Sequence, residues 1–161
     1  MVIKFRFLKY LTVFTLPATV YISFISSGIM TYFPVLFFFV FVPLLELFFD
    51  PVATNLEENE KEEIKNSKVY DFLLYMVLPI QFGFLVLFLF NMQDTNLSLI
   101  ERMGMISSMG LMCGVLGINI GHELGHRIEK FDRSIGELLL LSSLNTHFLP
   151  YHNMGHHKNV A

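Results

Sequence analysis

The chain has 161 residues, a formal net charge of −3 and a mean hydropathy of +0.55. That length suits about one domain. Its charged fraction of 16% falls well below the roughly one quarter usual for soluble domains, and the deficit lies in blocks, which excludes a uniformly apolar soluble core. No basic cluster points to nucleic acid. The single cysteine, Cys113, excludes an internal disulfide. No CxxC is present to hold zinc, iron or an iron–sulfur cluster, so any redox metal must rest on histidines or carboxylates.

Read in chain order, four apolar segments approach the roughly 20 residues that a helix needs to cross a bilayer. They lie at about 10–26, 30–49, 72–90 and 103–120. Strands are excluded because the runs are long and do not alternate. The fourth contains Gly104, Gly110, Gly114 and Gly117, which permit close helix packing in lipid. A further apolar run at about 134–148 would reach only roughly 22 Å as a helix, short of the ~30 Å hydrocarbon core. It is expected to lie against the bundle or re-enter. The expected fold is therefore all-α, a polytopic transmembrane bundle of four spans plus one short helix. Lys4, Arg6 and Lys9 precede the first run in the manner of a signal peptide, but the run is long and "ISSGIM" is a poor cleavage site, so the segment is expected to remain as a span.

The positive residues orient the bundle. Placing the N-terminus in the cytoplasm puts ten of the eleven Lys and Arg residues on that side, with Arg102 the exception. The polar stretch 50–71, with its run "EENEKEE", is then a solvated cytoplasmic connector.

The first 121 residues contain no histidine; all six lie between His122 and His157. His122 and His126 are spaced i, i+4, on one face of a helix continuing from the fourth span. Glu123 points about 100° away around the axis. "HELGH" thus matches the HExxH pattern of zinc peptidases. His152 and His156 repeat the spacing, and His157 follows directly. Five imidazoles exceed what one tetrahedral zinc accepts, so a two-metal site fits the count better. Chance placement or a local hydrogen-bonded pair would explain either cluster alone, but not both. His147, isolated in "NTHFLP", reads as a packing or supporting group rather than a ligand. Glu46 and Asp50 lie i, i+4 at the inner end of the second span, and a carboxylate there is costly enough to suggest a function; facing the cytoplasmic interface is the plainer alternative. The Phe-rich "FFFVF" reads as lipid-facing packing before it reads as a channel wall.

These clusters resemble the histidine boxes of the integral-membrane alkane 1-monooxygenases, within the membrane fatty acid desaturase/hydroxylase superfamily. "HELGHR" is similar to that family's first box and "HNMGHHKNVA" to its second. "FDRSIGELLL", "THF", "VPLLEL" and "YDFLLYMVLPIQF" extend the likeness over most of the chain. Acyl desaturases and sterol-type hydroxylases usually carry HxxHH where this chain has HxxxHH. Tyr151 departs from the glutamate common before the second box. The family's third box and later helices have no counterpart, so the chain is expected to be an N-terminal part of a longer protein and inactive alone.

The resemblance implies oxidation of an alkane's terminal methyl to a primary alcohol by O2 at a non-haem di-iron centre, with electrons from rubredoxin. It implies His122, His126, His152, His156 and His157 as iron ligands, with Glu123, His147 and Glu46 as supporting groups. Imidazole suits iron, and an inner-membrane site facing the cytoplasm would meet both a lipid-dissolved substrate and a soluble donor. A fatty acid desaturase or other membrane hydroxylase stands as one alternative. A second is an intramembrane zinc metalloprotease, in which Glu123 would activate a zinc-bound water; that enzyme has no use for the HxxxHH cluster. A non-catalytic metal-binding or transport protein would need polar residues lining its spans, which are lacking apart from Glu46.

Overall fold

The structure is a computed structural model and describes residues 10–49 and 68–148; its described residues are helical, without strands. Five helices follow in chain order. Helix α1 is Leu11–Ile25, α2 is Gly28–Glu46, α3 is Lys68–Asn91, α4 is Leu99–Gly125 and α5 is Lys130–Ser142.

Three of these, α2, α3 and α4, with 19, 24 and 27 residues, are long and apolar enough to cross a membrane. Among the described residues, three of the four expected spans thus have the length and composition to cross. As described, α1 is a shorter apolar helix, roughly 22 Å long at 1.5 Å per residue. It nonetheless runs beside most of α3: Tyr10 meets Tyr70 edge-on at 4.7 Å, and Phe24 packs on Phe84 and Phe88.

The last two helices also differ from expectation. Helix α4 starts before residue 103 because Ser98 and Glu101 form a capping box that satisfies its first backbone donors. The same Glu101 accepts a 2.8 Å hydrogen bond from the Gly28 backbone, tying the α1–α2 turn to the start of α4. Helix α5 was expected at about 134–148, but it begins at Lys130 and stops at Ser142. A Schellman turn closes it: Leu144 N–H donates to Leu141, and Asn145 N–H to Leu140, at 2.9 Å each. Leu144 takes the left-handed conformation, φ 55°, that this closure requires.

Contacts at the helix ends define an antiparallel bundle. Gly28 and Glu101 meet at one end; Tyr10, Tyr70, Asp71 and Arg127 gather at the other. Between them runs a core of Leu16, Val20 and Phe24 from α1, Val77 from α3, and Met105, Met109, Met112 and Leu116 from α4, all buried. Interhelical hydrogen bonds supplement the packing, as expected where lipid supplies no hydrophobic drive between helices. Ser23 and Ser108 both donate to the Thr31 carbonyl, and all three residues are fully buried. Gly104 leaves the space that Thr31 and Tyr32 occupy.

Two helices contain widened, π-type turns. In α2, Phe37–Phe41 precedes Pro43, which has no N–H to offer the regular ladder; Val42 N–H bonds five residues back to Phe37. In α4, the widened turn is Cys113–Asn119, immediately before the histidines. Such turns insert a residue into a helix and recur at functional sites.

Candidate metal centre

His122 and His126 lie at the end of α4, one turn apart, as the i, i+4 spacing predicts. Their Nε2 atoms approach to 2.6 Å and their rings to 4.5 Å between centroids. Two nitrogens each about 2.1 Å from a shared ion, at a right angle, would stand about 3 Å apart. At 2.6 Å the two nitrogens converge on one point at hydrogen-bond distance, and would part by about 0.4 Å to share an ion. Among the described residues, no group of three His, Cys, Asp or Glu side chains completes a metal-holding set.

The remaining expected ligands, His152, His156 and His157, lie outside the described residues, as do Asp50 and Tyr151. The chain does turn back toward the pair beyond α5. Phe148 packs edge-on against the His122 ring at 5.1 Å, and His147, exposed, precedes it. Glu123 is exposed and, among the described residues, makes no hydrogen bond to either imidazole. It lines instead a largely apolar cleft of about 470 Å³ between α1, α3 and α4, with Tyr10, Tyr70, Val77, Ile120 and Arg127. Glu46, exposed at the end of α2, likewise has no side-chain hydrogen bond or ion pair among the described residues.

The sequence reading missed the polar hub beside the pair. Arg127, directly after His126, donates from one nitrogen to Asp71 of α3 at 2.5 Å and to Asp132 of α5 at 3.2 Å. Asp132 is 5% exposed, and its other oxygen accepts from the Tyr75 hydroxyl at 2.5 Å. Burial of the guanidinium works against its charge, but the hydrogen bonds and charges of Asp71 and Asp132 outweigh it and raise its pKa above the ordinary arginine value. A signal was present: Asp71 opens an apolar segment and Asp132 follows shortly after the first box.

Glycines set the box tightly against α5. A Cβ on Gly136 would stand 2.7 Å from the Gly121 carbonyl oxygen and 3.1 Å from the Gly125 nitrogen. The backbones of α4 and α5 therefore touch on either side of His122.

Three helices of bilayer-crossing length and composition, one ending in a converging imidazole pair, mark the chain as a membrane protein. Comparison with known proteins gives the family relation. The chain is 32% identical to alkane 1-monooxygenase of Pseudomonas putida over 120 residues, 74% of this chain and 30% of that protein. Alkane 1-monooxygenase 1 of Alcanivorax borkumensis matches to the same extent. That organism's alkane 1-monooxygenase 2 is 31% identical over 145 residues, 85% of this chain and 37% of the relative. No protein-family model matches. The resemblance seen in the histidine boxes thus extends through most of the chain, which is a relative of the alkane 1-monooxygenases and spans about a third of their length.

Proposed function

We propose that the chain supplies the first two histidine boxes of a membrane alkane 1-monooxygenase, which converts an alkane and O2 to a primary alcohol. The observation that carries this reading is the convergence of two imidazole nitrogens at the end of an apolar helix, in a relative of those enzymes. His122 and His126 would hold metal with His152, His156 and His157. Chain connectivity allows one shared site: His152 follows four residues after Phe148, and Phe148 touches His122.

Two irons, when bound, would supply the oxygen activation that an unactivated C–H bond requires. The residues of this chain do the rest. The imidazoles present neutral nitrogens, which suit a redox iron. At the end of an apolar helix, the site would meet an alkane dissolved in the bilayer. By the distribution of positive residues, the imidazoles would face the cytoplasm from the inner membrane, in reach of rubredoxin as electron donor, and α1 would cross beside α3 as a fourth span. Membrane lipid would surround the bundle.

The second histidine cluster speaks against the zinc-protease alternative. That reaction needs one metal and a glutamate acting on its water, and has no use for His152, His156 and His157.

The test is iron analysis of the purified protein joined to an assay with an n-alkane, O2 and reduced rubredoxin. About two irons per chain and a 1-alkanol product are expected. Absence of iron with stoichiometric zinc, or peptide hydrolysis abolished by Glu123→Gln with the metal retained, would overturn the proposal.

A further inference from the structure

Helix α4 ends at Gly125, so His126 stands beyond the last regular turn. Its backbone is held loosely there: His126 N–H reaches the Glu123 carbonyl at 3.3 Å and Arg127 N–H the Leu124 carbonyl at 3.2 Å. These are three-residue closures, weaker in geometry than the helical ladder. The adjoining side chain is held much more firmly. Arg127 bonds to Asp71 on α3 and to Asp132 on α5, and Tyr75 on α3 holds the second oxygen of Asp132. Both oxygens of this buried carboxylate are thus occupied. The three helices that meet behind the pair are joined through the residue next to His126.

We infer that Asp71, Tyr75 and Asp132, acting through Arg127, are positioning residues for the histidine pair. They hold the helix end so that the His126 imidazole stays aimed at the point His122 reaches. The inference rests on the metal reading of the pair. Both bonds leave one guanidinium nitrogen, so the length and rigid plane of arginine, which set where that nitrogen stands between α3 and α5, matter as well as its charge.

The test is Co(II) titration of the purified full chain in detergent, because the Co(II) absorption band reports ligand number and geometry independently of turnover. Arg127→Lys and Asp132→Asn should weaken Co(II) binding about 10- to 100-fold, the usual cost of losing groups that orient ligands, and should alter the band. Tyr75→Phe removes one hydroxyl and should shift both measures in the same direction by less. Arg133→Lys, an exposed neighbour, should match the parent. If the parent binds Co(II) and the variants keep its affinity and band, the inference is wrong while the metal reading stands. Should Arg127→Lys fail to fold, Tyr75→Phe decides: an unchanged band refutes the positioning role. A parent that binds no Co(II) refutes the metal reading and this inference with it.

Discussion

Gly136→Ala tests whether the histidine-bearing end of α4 depends on backbone contact with α5. The added Cβ would stand 2.7 Å from the Gly121 carbonyl oxygen, 3.1 Å from the Gly125 nitrogen and 3.2 Å from Leu124 Cβ. Ordinary contact begins near 3.4 Å, so the helices must part by about 0.7 Å. Two of the three obstacles are backbone, which cannot rotate away. Overpacking of this kind costs about 1–3 kcal/mol, while alanine gains back up to about 1 kcal/mol of helix propensity over glycine. The net expectation is a loss of about 1–2 kcal/mol. Gly110 is a helical glycine of α4, but a Cβ there meets nothing within 4 Å, so Gly110→Ala should be neutral or slightly stabilising. Reversible unfolding by SDS in mixed micelles, followed by far-UV circular dichroism, measures both. The reasoning is refuted if Gly136→Ala is as stable as the parent, or if the two alanines cost the same.

Ser98→Ala removes the side-chain acceptor at the start of α4 and should cost about 1 kcal/mol; amide exchange at 99–102 should accelerate about fivefold. Leu144→Gly relieves a leucine at φ 55° and should stabilise the protein by about 1 kcal/mol, seen as a higher SDS midpoint. Arg102 donates to the carbonyls of Met92, Asp94 and Leu97. Arg102→Lys should release the loop between α3 and α4, measured as faster proteolysis there with the rest of the bundle intact. Stripping metal with a chelator should lower the unfolding midpoint, and iron should restore it in proportion to the logarithm of its concentration above the dissociation constant; His122→Ala with His126→Ala should reduce that dependence sharply.

Much of the bundle was readable because lipid-spanning helices announce themselves by uninterrupted apolar length. Residues 72–90 and 30–49 fall close to α3 and α2 for that reason. Errors arose where local hydrogen bonding overrides hydropathy. The capping box "SLIE" starts α4 before the apolar run does, and it was legible as S-x-x-E. The Schellman closure at Leu144 was not, since it places a leucine where glycine is the usual signal. The pairing of His122 with His126 follows from helical period alone. Glu123 was expected to assist an imidazole, and its surroundings depend on how α1 and α3 pack beside it, which one helix's periodicity cannot reveal. The Arg127 hub joins residues more than fifty positions apart, Asp71 and Arg127, and is a property of the tertiary fold.

The widened turn at Cys113–Asn119 separates two tasks within one helix. Above it, Met105, Met109 and Met112 keep their phase against the neighbouring helices; below it, the imidazoles follow a different phase. Excising one residue between 113 and 119 would leave an unbroken, regular rod, yet would swing both rings about 100° around the axis. A shortened variant of this kind would keep the methionine face in place but turn the imidazoles, and with them the glycine contact to α5, away from their partners, so the irregularity acts as the vernier between anchorage and aim.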